Sequence, residues 1–203
     1  MRIGIFGGTF DPVHLAHLII AEQAREQGQL DQVWFVPSAR PPHKLDQEVT
    51  SFDRRANMLA LAMAGRERFK VELLEKDRPG PSFTADTLGD LHRLHPEHEF
   101  LLILGGDCLP DLHLWHQPAR IIEQATLLVA RRPGSPALSA DELAATLPGL
   151  TVPVRMQTID VPLMEISSRD LRQRVRAGRS VLYLVPKPVE VFIRERKLYI
   201  TPA

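Results

Sequence analysis

The chain opens with Arg2-Ile-Gly-Ile-Phe6, a hydrophobic strand, and passes through Gly7-Gly-Thr-Phe-Asp-Pro12 into a helix beginning near His14-Leu-Ala-His17. A strand that turns directly into a helix commits the chain to a βα unit, and such units build parallel sheets flanked by helices. The turn itself reads as a phosphate site. Paired glycines let backbone approach a ligand and take φ values other residues resist, so amide N–H groups near Gly8 and Thr9 can face oxygen anions. The following helix adds its positive end. His14 and His17 are three residues apart, which places both imidazoles on one face of a first helical turn, able to flank one phosphate. Asp11 and Pro12 suit turn and cap positions that fix the loop presenting His14.

The same alternation continues along the chain. Strands are predicted over Arg2–Phe6, Gln32–Val36, Phe69–Leu74, Phe100–Leu104, Thr126–Ala130 and Val152–Val161, and helices over Ala16–Gln27, Phe52–Ala64, Thr84–His95, Ser139–Leu147, Ser168–Ala177 and Pro188–Arg196. Gly28 is a plausible helix terminator, and Thr50 or Ser51 a cap. Pro110 and Pro118 break Asp107–Gln124 into two short helices. Residues 139–147 read as a surface excursion, and the long proline-rich loop Pro37–Val49 as functional. The expected fold class is α/β: one doubly wound, mostly parallel sheet with helices on both faces. In such sheets ligands sit beyond the carboxyl ends of the strands, at a switch in strand order. Thr9–His17, Pro37–Lys44, Gly105–Trp115 and Ser167–Arg172 each follow a strand, so they converge on one sheet edge.

Composition narrows the function classes. At 203 residues the chain is expected to be a single domain, with residues 167–203 a helical part completing the phosphate site. Twenty-five basic side chains balance 25 acidic ones, without the basic excess of a nucleic-acid binder, so small anionic ligands fit better. Cys108 is the only cysteine, which excludes an intrachain disulfide; it reads as an inert buried thiol. No signal-peptide pattern is evident at the start, and no apolar run approaches the ~20 residues that span a bilayer. A cytoplasmic protein is expected, with a homo-oligomer left open. His92, His95 and His98 recur every three residues, a spacing that suggests a metal patch but reads better as a solvated face interrupted by Pro96.

Gly7-Gly-Thr-Phe-Asp-Pro-Val-His14-Leu-Ala-His17 resembles the GGTFDPxHxGH signature of the HxGH nucleotidyltransferases, and within them the bacterial nicotinate mononucleotide adenylyltransferases. The likeness recurs at Pro41-Pro-His-Lys44, Pro81-Ser-Phe-Thr-Ala-Asp-Thr-Leu88, Leu104-Gly-Gly-Asp107 with Trp115, and Ile166-Ser-Ser-Arg-Asp-Leu-Arg172, spanning nearly the whole chain. The resemblance implies a Rossmann-like fold and adenylyl transfer from ATP to nicotinate mononucleotide, with Mg²⁺ carried on the ATP and no dedicated protein metal site. It implies His14, His17 and Arg172 as catalytic groups. It places Gly8, Thr9, Phe10, Lys44, Arg132, Ser167 and Ser168 around ATP, the serines and Arg172 as a phosphate clamp. Gly7, Thr9, Lys44, Phe83, Thr84, Asp107, Trp115 and His116 would face the mononucleotide, with the pyridine ring stacked on Trp115.

Structural readings stand beside these. A Ser-Ser pair before a helix is commonly a plain N-cap, and Trp115 could be ordinary core. Asp107 could meet ribose or a metal hydrate, or merely cap the next helix. The chain departs from the family pattern at Ala16, which stands for glycine, at Phe83 and His116, which stand for tyrosine, and at Arg169, which stands for threonine. The rival readings are an HxGH transferase acting on nicotinamide mononucleotide or phosphopantetheine, and a module that binds ATP without turning it over. Gly4, Gly7 and Gly8 do not make the G-x-G-x-x-G of a dehydrogenase.

Overall fold

The computed structural model describes residues 1–42, 48–131 and 138–200. Strands β1 (Arg2–Gly8), β2 (Gln32–Pro37), β3 (Phe69–Val71), β4 (Glu99–Gly105), β5 (Thr126–Arg131) and β6 (Met156–Asp160) form one sheet. Its order is β3-β2-β1-β4-β5-β6, with every neighbouring pair parallel. Helices α1 (Leu15–Gln27), α2 (Phe52–Met63), α3 (Thr84–Leu94), α4 (Pro118–Gln124), α5 (Ala140–Ala145), α6 (Ser168–Arg176) and α7 (Lys187–Glu195) pack against it.

The strand sequences explain the layering. Along β2, Val33 and Phe35 face one core while Trp34 and Val36 face the other; along β4, Leu101 and Ile103 alternate in the same way with Phe100, Leu102 and Leu104. Successive side chains point to opposite faces, so a strand covered on both sides must be apolar throughout. The first core takes Met58 and Leu59 of α2, Leu171 of α6, and Val189 and Ile193 of α7. The second takes Leu88 and Leu91 of α3, Ile121 of α4 and Leu143 of α5. The chain winds outward from β1 through β2 to β3 and then returns to the other side of β1 as β4. That reversal is the switch point, and its crevice opens at the carboxyl ends of β1 and β4.

Several local expectations are corrected. β6 begins at Met156 rather than Val152, because Pro153 lacks a donor and pairing starts at Leu127 with Met156. β3 ends at Val71 rather than Leu74, since the chain turns there and the Lys76 N–H bonds the Leu73 carbonyl at 2.9 Å. Gly28 ends α1 with φ −81°, so left-handed freedom is not its purpose. A Cβ there would stand 2.6 Å from the Ala24 carbonyl oxygen and 2.8 Å from Leu128, so the position needs glycine for room. α5 is no surface excursion, because Leu143 and Leu147 are buried in the second core. Cys108 is half-buried rather than buried. The three histidines do not form a solvated face: His92 Nε2 bonds the Gln124 carbonyl at 2.7 Å, and the His98 side chain is only 10 % exposed. No helix among the described residues is long and apolar enough to cross a membrane.

Candidate active site

Among the described residues, two cavities border the segment that follows β1. The larger, about 440 Å³, is bordered by Gly7, Gly8 and Thr9 at the end of β1, Phe83 and Thr84 at the start of α3, and Trp115 and His116. The smaller, about 280 Å³, is bordered by His14, Ala16 and His17 on one side and by Ile166, Ser167 and Ser168 on the other. Residues 9–14 connect the two, so one loop serves both.

His14 is the N-cap of α1 rather than a residue of its first turn, and His17 sits three positions on. Their rings stack, with centroids 3.6 Å apart and planes 24° from parallel. The His14 backbone N–H donates to His17 Nδ1 at 3.2 Å. A nitrogen that accepts in a neutral imidazole leaves the proton on the other, so His17 presents Nε2–H as a donor. Phe10 packs edge-on against the His17 ring at 5.0 Å. Nδ1 of His14 is buried without a hydrogen-bond partner. Burial lowers the His14 pKa from 6.5 to about 4, and burial together with His14 lowers that of His17 well below its usual value. Both rings are therefore neutral donors at pH 7.

This protonation state has a stability consequence. The folded pKa of His14 lies below the unfolded value, so the unfolded chain takes up the proton first as pH falls. The corresponding stability is present above pH 6.5 and is lost between 6.5 and 4. His14 alone is expected to cost about 3 kcal/mol by pH 4. Denaturant unfolding across this range should show a steeper loss in the wild type than in His14→Ala, and equal slopes would contradict it.

The glycines act through space rather than through φ. Neither Gly7 nor Gly8 has a positive φ; the left-handed residue is Phe10, at 49°. A Cβ at Gly8 would stand 3.0 Å from the Phe10 ring, so Gly8 admits that ring. A Cβ at Gly7 would meet nothing within 4 Å, and Gly7 borders the larger cavity. Gly7→Val is therefore expected to raise the KM of the ligand held there by about tenfold or more while changing stability by less than about 0.5 kcal/mol. Steady-state kinetics beside a denaturation curve would test it.

Beneath the loop lies a buried polar frame whose central member, Arg55, the sequence reading missed. Arg55 is 1 % exposed, and its guanidinium donates from Nη1 to the Thr9 carbonyl at 2.7 Å, from Nη2 to Ser38 at 2.8 Å and from Nε to Thr50 at 2.8 Å. One planar fork thus ties the loop after β1 to both ends of the segment following β2. Its signal in the sequence is a cation on an apolar helix stripe, followed at helical spacing by Met58, Leu59 and Ala62, all buried. Asp11 is 2 % exposed and accepts from the Tyr199 hydroxyl at 2.7 Å and the Thr50 N–H at 3.2 Å. Burial, and then the Asp11 carboxylate, push the Tyr199 phenol well above its usual range, which keeps it a donor.

The residues expected as a phosphate clamp have structural duties too. Ser167 caps α6, accepting from the Asp170 N–H at 3.1 Å and donating to its carboxylate at 2.7 Å. The Ser168 hydroxyl donates to the Pro12 carbonyl at 2.9 Å, and Arg172 Nη1 to the Asp11 carbonyl at 2.8 Å. Ser167 and Ser168 border the His14–His17 cavity while Arg172 does not, and Arg169 is exposed. Of the residues expected around the mononucleotide, Phe83 and His116 stack at 4.2 Å, and Trp115 both borders the larger cavity and packs on the second core. Asp107 is exposed in a short 3-10 turn (Gly106–Cys108), its carboxylate folded back over Gly105, and it does not border either cavity. Lys44 and Arg132 lie outside the described residues. Glu75 and Ser82, also missed, fasten the segment after β2 to α3: Ser82 Oγ accepts from the Ala39 and Arg40 N–H groups at 3.0 and 3.1 Å, and Glu75 accepts from Thr87 at 2.6 Å.

The cytidylyltransferase-like family profile matches residues 5–174. A probable nicotinate-nucleotide adenylyltransferase of Exiguobacterium sibiricum is 43% identical over 99% of this chain and 100% of its own length. One from Thermus thermophilus is 45% identical over 98% of this chain and 100% of its own. The nicotinic acid mononucleotide adenylyltransferase of Plasmodium falciparum, solved in complex with NaAD, shares the fold at a TM-score of 0.78 with 20% identity, covering 98% of this chain and 97% of that one. Strand order, the histidine pair at the head of α1 and full-length similarity to these relatives agree: the chain belongs to the cytidylyltransferase-like nucleotidyltransferases, among the nicotinate-nucleotide adenylyltransferases.

Proposed function

We propose that this protein transfers the adenylyl group of ATP to nicotinate mononucleotide, giving nicotinate adenine dinucleotide and pyrophosphate in NAD biosynthesis. The observation that carries the reading is the stacked neutral pair His14–His17 facing the start of α6 across one cavity, with a separate aromatic-walled cavity on the far side of the same loop. ATP phosphates fit the first cavity and the mononucleotide the second, so the acceptor's 5′-phosphate meets the α-phosphorus above Thr9–His17. The new P–O bond forms as the α–β bridging bond breaks and pyrophosphate departs. The attacking phosphate is already an anion, so no general base is required. Catalysis rests on alignment and on charge stabilisation by donors fixed in advance.

His17 Nε2–H is assigned to the α-phosphate, with His14 and the N–H groups at the head of α6 on the neighbouring oxygens. Arg172 adds a fixed positive charge from one turn further along α6. The N–H groups opening α3 at Thr84 are assigned to the nicotinate carboxylate, and Trp115 to the pyridine face. Among the described residues Glu75 is the one carboxylate bordering either cavity, and it is already bonded to Thr87 and Ala39. Mg²⁺ carried on the ATP would supply charge neutralisation of the polyphosphate there. Pyrophosphate release from ATP with nicotinate mononucleotide, nicotinamide mononucleotide and phosphopantetheine supplied side by side tests the proposal. Preference for the nicotinate acceptor is expected. Preference for phosphopantetheine, or no release with any acceptor, would overturn it.

A further inference from the structure

The far edge of the sheet carries a second cluster of chemistry-bearing side chains. Helix α3 ends at Leu94, and His95-Pro-Glu-His98 turns the chain into β4. The turn is closed by the His98 N–H bonding the His95 carbonyl at 3.1 Å, while the His95 N–H holds the Leu91 carbonyl at 2.8 Å. Proline at the second position presets the backbone of such a turn, which fixes where both flanking side chains leave the main chain. The rings are parallel within 8°, with centroids 5.5 Å apart. Glu97 Oε1 stands 3.1 Å from His98 Nδ1 and 4.0 Å from His95 Nδ1, and one ligand atom from each of the three residues lies within 4.8 Å of the others.

The decisive atom is His98 Nδ1. It is buried and makes no hydrogen bond, although the Glu97 carboxylate stands 3.1 Å away. A cation held by both atoms would give this unpartnered nitrogen a ligand role. Trp34 and Phe100 wall the rings from behind: Trp34 lies 5.1 Å from His95 and 6.0 Å from His98, and Phe100 6.2 Å from His98. An apolar backing holds ligand rings in place and limits water. Glu97, whose side chain is 61 % exposed, leaves the front open for entry.

We propose that His95, Glu97 and His98 bind one divalent transition-metal ion of the zinc, cobalt and nickel class. Two imidazoles and a carboxylate are the donor set such borderline ions select, with water completing a tetrahedral shell. Ligand atoms about 2.1 Å from a tetrahedral ion stand about 3.4 Å apart, and rotation of the exposed Glu97 and the partly exposed His95 side chains supplies the closure. All strands run parallel, so this site lies at the amino edge, opposite the two cavities. Its role is to pin the α3–β4 turn rather than to take part in phosphate chemistry.

The test uses tag-free full-length protein. Trp34 and Trp115 are the only tryptophans, so a Trp115→Phe background isolates Trp34 as a reporter beside the site. Ni²⁺ titration should quench Trp34 saturably, and dialysis against Zn²⁺ should leave one equivalent bound that the His95→Gln/His98→Gln variant does not retain. Glu97→Gln, an exposed change that does not threaten folding, should weaken binding about tenfold or more. His98→Gln should leave adenylyl transfer unchanged. Absent quenching in the Trp115→Phe protein, or one equivalent of Zn²⁺ still retained by the double variant, would overturn the assignment.

Discussion

Replacing His17 by alanine is expected to lower kcat for adenylyl transfer by about a hundred- to a thousandfold, the usual loss when one preorganised donor to a reacting oxyanion is removed. The KM of the mononucleotide should stay nearly unchanged, because the proposed site of that substrate is the other cavity. Two features make the effect large. The His14 N–H fixes His17 Nδ1 as acceptor and so aims Nε2–H outward, and the depressed pKa keeps the ring neutral rather than dependent on pH near 7. The substitution also removes a ring packed on Phe10 and Phe6 at 5.0 and 6.0 Å, so denaturation should be measured beside the kinetics. A kcat within tenfold of wild type in a folded variant would refute the assignment of His17 to the α-phosphate.

Arg55→Met should destabilise the protein by about 3 to 5 kcal/mol, the cost of breaking a buried charge network from one side. Methionine keeps the apolar stem but not the guanidinium, so the loss combines the missing hydrogen bonds with some packing at the fork. Three backbone carbonyls, of Thr9, Ser38 and Thr50, lose their donor, and the buried Asp11 carboxylate loses a neighbouring positive charge. An unsatisfied buried acceptor costs roughly 1 to 3 kcal/mol, so three together account for the total even with partial relaxation. Against a whole-domain stability of about 5 to 15 kcal/mol this is a severe loss. Arg55→Lys should recover little of it, since one ammonium cannot reproduce a three-way planar fork. Chemical denaturation of both variants is the measurement, and a loss below about 1 kcal/mol for Arg55→Met would show that the frame is not held by this residue.

The local code carried much of the architecture. Apolar runs alternating with helical periods announced the βα units, and the spacing of His14 and His17 placed two imidazoles together before any tertiary contact was known. The Ser167 cap was equally local, because its hydroxyl reaches only three residues along to Asp170. Helix ends and strand lengths followed less well where geometry rather than propensity ruled, as at Gly28, which is glycine because Leu128 and the Ala24 carbonyl leave no space.

What the chain order alone determined, then, is the set of elements and the loop with its histidine pair at the end of β1, since periodic burial, helix caps and a three-residue spacing are properties of neighbouring residues. The tertiary structure decided how that loop is held and which cavity each residue borders. Asp11 meets Tyr199 across 188 positions, Ser168 meets Pro12 across 156, and Arg55 reaches Thr9 across 46, contacts that exist only once α2 and the C-terminal helices close over one edge of the sheet. The same closure places Ser167 and Ser168 opposite the histidines and keeps Phe83, Trp115 and His116 around a second cavity. Hydrogen bonds between distant residues depend on how packed layers meet, and one segment's pattern does not encode that meeting.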